Sequence, residues 1–314
     1  MKKEIALTLS SGGARGIAQI GVIQEILNQG YTISSIAGAS IGAVIGGLYA
    51  AGKLDEYTDW ICNLNRLDVF HLMDLDFSGQ TGLIQGKRVF GHLENWVGGM
   101  TIEELPMPYV AVASDMVNRK EIIFDGGDLL TAMRASVAIP GFLTPVIHND
   151  DPLFDGGVCN PIPVNRIQKE DHHLHVAVDL NAYVEPDLRA TMMAMLESTE
   201  EEHLLPFHMQ GPVFEKVVSL VHKYSHLLGG DENENEHDKK SSLSYFSTMN
   251  HMFDMMQEQL SSYILRDNPP DVLIKIPRDL CSTFDFDKSR DLVEIGRLAA
   301  RETLKQLENS TIAN

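Results

Sequence analysis

Short apolar runs alternate with glycine-rich turns over the first fifty residues. Residues 4–9 form a run of the length and composition of a buried parallel strand. A glycine-rich turn follows, and apolar residues then return at helical spacing until Gly30, which is typical of a helix C-terminus. Residues 34–39 predict a second short strand, and residues 41–50 predict a helix of small residues. This alternation predicts an α/β fold with a mostly parallel central sheet and helices on both faces.

The rest of the chain continues the pattern less regularly. Further strands are predicted at residues 109–114, 120–124, 174–180 and 271–276. A final helix is predicted over residues 289–307, and no internal repeat is apparent. We therefore expect a single α/β domain over residues 1–314.

The stretch of residues 182–268 differs in composition. It is rich in Met, His and Glu, and its acidic tract at residues 231–236 is expected to be an exposed loop. Apolar residues then recur every three or four positions over residues 241–265, as on one face of a long helix. They are Leu243, Phe246, Met249, Phe253, Met256, Leu260 and Ile264. We interpret the stretch as a C-terminal helical insertion, either packed permanently or serving as a lid.

Composition and charge narrow the class of protein. Hydrophobic residues make up 44% of the 314 residues and charged residues 22%, as in globular proteins. The net charge of −19 disfavours a nucleic-acid partner and electrostatic docking on an anionic membrane, but not hydrophobic contact with lipid. The three cysteines are far apart, which disfavours a disulfide scaffold and indicates a reducing compartment.

The sequence gives little sign of targeting. No apolar run approaches the ~18 residues that a membrane-spanning helix needs. The start, Met1-Lys2-Lys3 and a short apolar run, is similar to a signal peptide, but glycines and Arg15 interrupt it. We expect a cytoplasmic protein.

Gly38-Ala39-Ser40-Ile41-Gly42 is a G-x-S-x-G sequence between a predicted strand and a predicted helix. Such a turn is so tight that only small neighbours fit, and it exposes the serine hydroxyl above the sheet. The helix N-terminus also favours negative charge near that hydroxyl. A glycine-rich packing turn is the alternative interpretation.

A second glycine-rich element, Gly12-Gly13-Ala14-Arg15-Gly16, opens the first predicted helix. Glycines with positive φ let consecutive backbone N–H groups point at one anion. A phosphate or the oxyanion of an acyl-transfer intermediate would both suit the loop. The sequence lacks G-x-G-x-x-G, a G-K-[ST] ending, and an acidic residue closing the second strand, so the oxyanion interpretation is preferred.

A serine nucleophile needs a base, and none of the twelve histidines lies in a convincing setting. His172, His173 and His175 lie beside a strand start, where we expect a solvated cluster able to bind adventitious metal. Six others are scattered through the insertion: His203, His208, His222, His226, His237 and His251. A histidine base is not excluded by position alone.

Aspartate is the other candidate base. Of two Asp-Gly-Gly triplets, the one at Asp125 bridges a strand and a helix, so a turn with Asp128 as helix N-cap accounts for it. The triplet at Asp155 precedes a loop stiffened by prolines, where a carboxylate could accept the serine proton directly.

Four blocks in this order resemble the patatin-like phospholipases and acylhydrolases. They are Ser11-Gly12-Gly13-Ala14-Arg15-Gly16, Gly38-Ala39-Ser40-Ile41-Gly42, Ala135-Ser136-Val137-Ala138-Ile139-Pro140-Gly141-Phe142, and Asp155-Gly156-Gly157 with Asn160 and Pro161. The resemblance implies Ser40 as nucleophile, Asp155 as its base in a dyad, and Gly12, Gly13, Ala14, Arg15 and Gly16 as the oxyanion loop. Some members begin that loop with three glycines, whereas Ser11 stands first here.

The resemblance also implies an α/β sheet, acyl esters of lipids as substrates, and neither cofactor nor metal. Arg15 is expected to anchor the loop or to meet a lipid phosphate. Two alternatives stay open: a catalytically weak lipid-binding or regulatory protein on the same fold, and a phosphate-binding module. Transient contact with a membrane surface and homo-oligomerisation also stay open.

Overall fold

An eight-stranded mixed sheet forms the centre of the molecule. The computed structural model describes residues 4–72, 74, 84–200 and 245–312. The strands are β1 (Glu4–Leu9), β2 (Thr32–Ala39), β3 (Tyr109–Asp115), β4 (Lys120–Phe124), β5 (Val146–His148), β6 (Asp151–Asp155), β7 (Leu174–Ala182) and β8 (Val272–Pro277). Their order is β5-β6-β3-β2-β1-β7-β8, with β4 also paired to β3.

The five strands β3, β2, β1, β7 and β8 are parallel to one another, whereas β4, β5 and β6 pair antiparallel. Every residue of β3 is buried, as is every residue of β1 after Glu4. Because successive side chains of a strand point to opposite faces, both faces of the sheet are covered. The predicted mostly parallel α/β fold is confirmed.

Helices supply that cover. They are α1 (Ala18–Asn28), α2 (Ile41–Ala50), α3 (Leu54–Ile61), α4 (Arg66–Leu72), α5 (Lys87–Val97), α6 (Leu129–Ser136), α7 (Pro186–Glu200), α8 (Tyr245–Asp267) and α9 (Ser289–Ile312). The helices α1 and α9 pack on each other, and α2 and α6 pack on β3. Among the described residues, no helix is both long enough and apolar enough to cross a bilayer.

The hairpin of β5 and β6 was not predicted from the sequence. Its two-residue turn consists of Asn149 and Asp150, whose φ angles are 51° and 70°. Positive φ at both positions is typical of a type I′ turn, which asparagine and aspartate tolerate. The hairpin matters because Asp155 is the last residue of β6.

The stretch of residues 182–268 is described only in part. It contains α7 and α8, while residues 201–244, including the acidic tract, lie outside the described residues. Among the α8 residues whose burial is described, 251–267, Gln257 and Ser261 are the most buried, whereas Met256 is 61% exposed. Met256, one of the seven residues of the predicted apolar face, is therefore mostly exposed, and the choice between a packed helix and a lid stays a prediction. Gln257 is buried because α8 lies against the glycine loop, where Gln257 Nε2 donates to Ser11 Oγ at 3.0 Å.

Candidate active site

Ser40 lies at the turn from the carboxyl end of β2 into α2. Its φ of 54° and ψ of −127° are rare for a residue with a side chain and cost about 1–3 kcal/mol. A Cβ atom at Gly38 would lie 2.5 Å from the Gly42 carbonyl oxygen, and one at Gly42 would overlap the Leu9 carbonyl. Both glycines of the G-x-S-x-G sequence are thus required by close backbone approach. The packing-turn alternative explains the glycines but not the conformation of Ser40.

The Ser40 hydroxyl faces a carboxylate. Its Oγ donates to Asp155 Oδ2 at 2.5 Å, and both side chains are buried. The Ser40 backbone N–H donates to Ser136 Oγ at 2.8 Å, and that hydroxyl donates to the Val112 carbonyl at 2.6 Å. These bonds fix the turn, so the hydroxyl is held against the carboxylate.

Asp155 is held by its own backbone. Its N–H donates to the Ala138 carbonyl at 2.9 Å, and its carbonyl accepts from Ser114 Oγ at 2.8 Å. Its Oδ1 accepts from the Gly157 N–H at 2.7 Å. Burial raises the pKa of Asp155 to about 7, although the hydrogen bonds from Ser40 and Gly157 oppose the shift. A base with that pKa exchanges protons readily near neutral pH.

The other Asp-Gly-Gly triplet is structural. Asp125 is exposed, and the Gly127 N–H donates to the carboxylate of Glu103. Asp128 accepts from the Thr131 N–H at 2.7 Å at the start of α6, which confirms the predicted N-cap.

The glycine loop presents a subset of its backbone N–H groups to the site. The Ser11 N–H donates to the Pro161 carbonyl at 2.8 Å, and the Ala14 N–H donates to the Thr283 carbonyl at 2.9 Å. Within the described part of the chain, no hydrogen bond engages the N–H groups of Gly12 and Gly13, and both glycines line the same small cavity as Ser40. Gly13 has a φ of 57°. The geometry therefore leaves Gly12 and Gly13 as the candidate oxyanion donors of the loop.

Arg15 and Gly16 serve the loop in other ways. The Arg15 guanidinium is buried, donates to the Cys281 carbonyl at 3.4 Å and lies 3.7 Å from Asp254 of α8. Gly16 packs so closely on Ile41 that a Cβ atom would overlap that side chain. Of the two roles expected for Arg15, these contacts fit that of anchoring the loop. Gly16 allows the loop to approach α2.

Histidines lie elsewhere among the described residues. His175 is buried at the amino end of β7, where its Nε2 lies 3.0 Å from Thr8 Oγ1. His172 and His173 lie beside Glu4 at the same edge of the sheet. No described histidine lines either cavity that contains Ser40. Five histidines of the insertion, from His203 to His237, lie outside the described residues.

Ser40 opens onto an apolar cavity of about 160 Å³. Aromatic rings of Tyr57, Trp60, Phe90 and Phe284 line it together with aliphatic side chains of α2, α4 and α5. A smaller cavity that also contains Ser40 is the more polar of the two, and Phe253, Asp254 and Gln257 of α8 line it. The hydroxyl is therefore in contact with both a strongly apolar cavity and a more polar one.

Three supporting residues were missed by the sequence reasoning. Ser136 holds the Ser40 N–H, Thr283 holds the glycine loop, and Gln257 contacts Ser11. Ser136 belongs to one of the four sequence blocks, which was a signal without an assigned role. Thr283 and Gln257 act from far along the chain, and no local pattern marks them.

A model of the patatin-like phospholipase family matches residues 7–166 of the chain. The chain belongs to the patatin-like phospholipase family. The resemblance drawn from the four sequence blocks is thereby confirmed. Membership implies the broad class of lipid acylhydrolases.

Curated relatives extend the likeness to the whole chain. An uncharacterised NTE family protein of Mycobacterium bovis is 32% identical, over 97% of this chain and 92% of its own length. A Mycobacterium tuberculosis protein of the same description has the same figures. Patatin-like phospholipase domain-containing protein 7 of Mus musculus is 29% identical, over 59% of this chain and 14% of its own length. Among solved structures, VipD from Legionella pneumophila covers 97% of this chain and 67% of its own, with a TM-score of 0.46 and 14% identity.

Proposed function

We propose that this protein is a serine acylhydrolase of the phospholipase A, lysophospholipase or carboxylesterase type, with Ser40 and Asp155 as its catalytic dyad. One observation carries the proposal: the Ser40 hydroxyl donates to the Asp155 carboxylate at 2.5 Å, at the mouth of an apolar cavity. Lipid substrates pair an apolar chain with an ester, and this site pairs an apolar space with a nucleophile.

Acylation begins when Ser40 Oγ attacks the ester carbonyl carbon and its proton passes to Asp155 Oδ2. The carbonyl oxygen becomes an oxyanion, which the N–H groups of Gly12 and Gly13 stabilise. Removal of one such donor typically costs about 3–4 kcal/mol of transition-state stabilisation. The N-terminus of α2 adds favourable electrostatic potential at Ser40. Collapse of the intermediate expels the alcohol, which takes the proton back from Asp155.

Deacylation repeats these steps with water. Water attacks the acyl carbonyl carbon and gives a proton to Asp155. The acyl–Ser40 bond then breaks, the carboxylic acid leaves, and Ser40 Oγ takes the proton back from Asp155. The raised pKa of Asp155 suits this exchange, because the carboxyl group must both take up and release a proton in each cycle.

The apolar cavity is the proposed site of the acyl chain. It begins at Ser40 and Gly13 and continues between aromatic and aliphatic side chains that offer few polar groups. The leaving alcohol then lies on the polar side, near Asp254 and Gln257.

A lipid-binding protein that does not turn over is the second candidate, because the apolar cavity alone would hold a chain. Reaction with a fluorophosphonate probe separates the two, since only an activated serine reacts. We expect labelling of the protein and of Ser262→Ala, a control for an exposed serine of α8, but not of Ser40→Ala. Hydrolysis of para-nitrophenyl esters and defined phospholipids should follow the same pattern. An unlabelled parent protein, or labelling that persists in Ser40→Ala, would refute the dyad.

A further inference from the structure

Three side chains with metal-binding atoms meet at the sheet edge opposite the dyad. Strand β1 pairs with β7 so that Ile5 lies opposite Leu174. This register brings Glu4 beside His173, and His172 comes directly before His173 in the same turn. Ser40 follows the carboxyl end of β2, whereas this cluster lies at the amino ends of β1 and β7. The dyad does not use it.

The distances within the cluster suit a small divalent cation. His172 Nε2 lies 3.0 Å and His173 Nε2 lies 3.5 Å from Glu4 Oε2. One ligand atom from each of the three residues lies within 4.8 Å of the other two, and no other such trio occurs among the residues that the structure describes. Tetrahedral zinc with bonds of about 2.0–2.1 Å places neighbouring ligand atoms about 3.4 Å apart. Both contacts to Glu4 are close to that spacing.

A second set of contacts orients both imidazole rings. His172 Nδ1 lies 3.4 Å from Glu170 Oε2, and His173 Nδ1 lies 3.1 Å from Ser34 Oγ. The Ser34 hydroxyl donates to the Ile5 carbonyl at 3.0 Å, so its oxygen is able to accept from His173 Nδ1. The Glu170 N–H donates to the same nitrogen at 3.3 Å in the tautomer that has no hydrogen on Nδ1. Zinc binding selects the tautomer with a hydrogen on Nδ1 and the lone pair on Nε2, and outer partners of this kind are usual for histidines that bind zinc.

We propose that Glu4, His172 and His173 form a Zn²⁺ site whose remaining position is filled by water. Two imidazole nitrogens and one carboxylate oxygen favour zinc over Mg²⁺ or Ca²⁺, which prefer oxygen ligands. Glu4 and His172 are exposed, so the ion enters from solvent. The ion joins the start of β1 to the turn before β7, a separation of 168 residues along the chain. It acts as a clamp, because any ligand that binds only the folded state stabilises that state.

Titration of the metal-free full-length protein with ZnCl2 tests the site, with heat of binding and melting temperature as the two measurements. Glu4→Gln, His172→Gln and His173→Gln should each weaken one zinc site at least about tenfold. Ser34→Ala, which removes an outer partner, should weaken the same site by about tenfold. The control His148→Gln changes an exposed histidine on β5 and should bind like the parent. Zinc should raise the melting temperature of the parent and the control, but not of the three ligand variants.

Zinc bound by histidines of the insertion would add to the signal of every variant. The test therefore compares the zinc affinity and the melting shift of each ligand variant with those of the parent. His172→Gln and Glu4→Gln change exposed side chains, and a normal circular dichroism spectrum verifies their fold. Equal zinc affinity and equal melting shifts in parent and ligand variants would show adventitious binding only and overturn the proposal. Ester hydrolysis should persist in all of these variants, so this test is independent of the dyad.

Discussion

At the scale of single residues, the proposed dyad places a carboxylate where solvent does not reach it. Burial disfavours the charged form of Asp155 and raises its pKa to about 7. The hydrogen bonds from Ser40 and Gly157 limit that shift. Burial makes Asp155 a stronger base, but it also lowers the stability of the folded protein when the carboxylate is charged.

The pH dependence of hydrolysis should reflect this pKa. Asp155 accepts a proton only when it is ionised, so kcat/KM for a short soluble ester should rise as pH increases through about 7 and then level off. A titration of kcat/KM between pH 5 and 9 measures it. A profile that is flat from pH 5 upward would contradict the raised pKa.

Asp155→Asn should lower activity about as much as Ser40→Ala, because members of a catalytic unit fail together. It should also stabilise the protein at neutral pH. The folded-state pKa lies above the ordinary value of 3.8, so the stability that Asp155 contributes is complete below that value and is lost as pH rises to about 7. The gain in melting temperature of the variant should therefore grow over this range and stay constant above it.

The control is Asp125→Asn, which changes the exposed aspartate of the other triplet. It should retain activity and show no comparable trend in melting temperature with pH. If Asp125→Asn lost activity and Asp155→Asn kept it, the base would belong to the other triplet and the assignment to Asp155 would be wrong.

At the scale of elements, the turn from β2 into α2 tolerates no added atoms. Gly42→Ala would push a methyl group into the Leu9 carbonyl, so β1 and α2 must separate. We expect loss of activity and a clearly lower melting temperature. The matched control is Gly91→Ala in α5, where an added Cβ meets nothing within 4 Å. Alanine there should be neutral or stabilise by about 0.5–1 kcal/mol. Similar melting temperatures for the two variants would contradict the close approach.

The helix α8 closes the polar side of the site, and Phe253 lines the same small cavity as Ser40 and Asp155. In Phe253→Asp a further carboxylate joins Asp254 in this cavity, and like charges raise the pKa of Asp155 further. The rise of kcat/KM should move to higher pH. Met252→Asp places the same charge on a residue that is 52% exposed and should leave the profile in place. Equal profiles for the two variants would show that Phe253 does not face the base.

The interpretation of this helix as a lid stays a prediction, because the acidic tract that would precede its hinge lies outside the described residues. Activity that jumps when the substrate passes from monomer to micelle would support it. Smooth saturation kinetics across that threshold would argue for a permanently packed helix.

At the scale of the whole molecule, the site needs no histidine in the proposed mechanism. Among the described residues, histidines lie away from both cavities that contain Ser40. Replacing each of the twelve histidines by glutamine, one at a time, should leave hydrolysis largely intact. A loss as deep as that of Ser40→Ala in any one of them would restore a Ser-His mechanism.

The sequence predicted six of the eight strands well, because most of them contain short apolar runs. Strands β1 and β4 begin and end where predicted, and β2, β3, β7 and β8 differ by one or two residues at their ends. The hairpin of β5 and β6 was missed, since β5 has only three residues and β6 has only Leu153 and Phe154 between Pro152 and Asp155. The dyad itself could be proposed from motif context. Its supports could not, because Thr283 and Gln257 reach the glycine loop only through tertiary packing.

The long separation between the two dyad residues affects synthesis of the protein. Ser40 and Asp155 are 115 residues apart, so the ribosome completes the serine turn well before the aspartate emerges. The glycine loop then waits for Thr283, which is made later still. In the proposed mechanism, a nascent chain therefore lacks the base for Ser40 until Asp155 has left the ribosome. The proposed hydrolysis cannot begin before then.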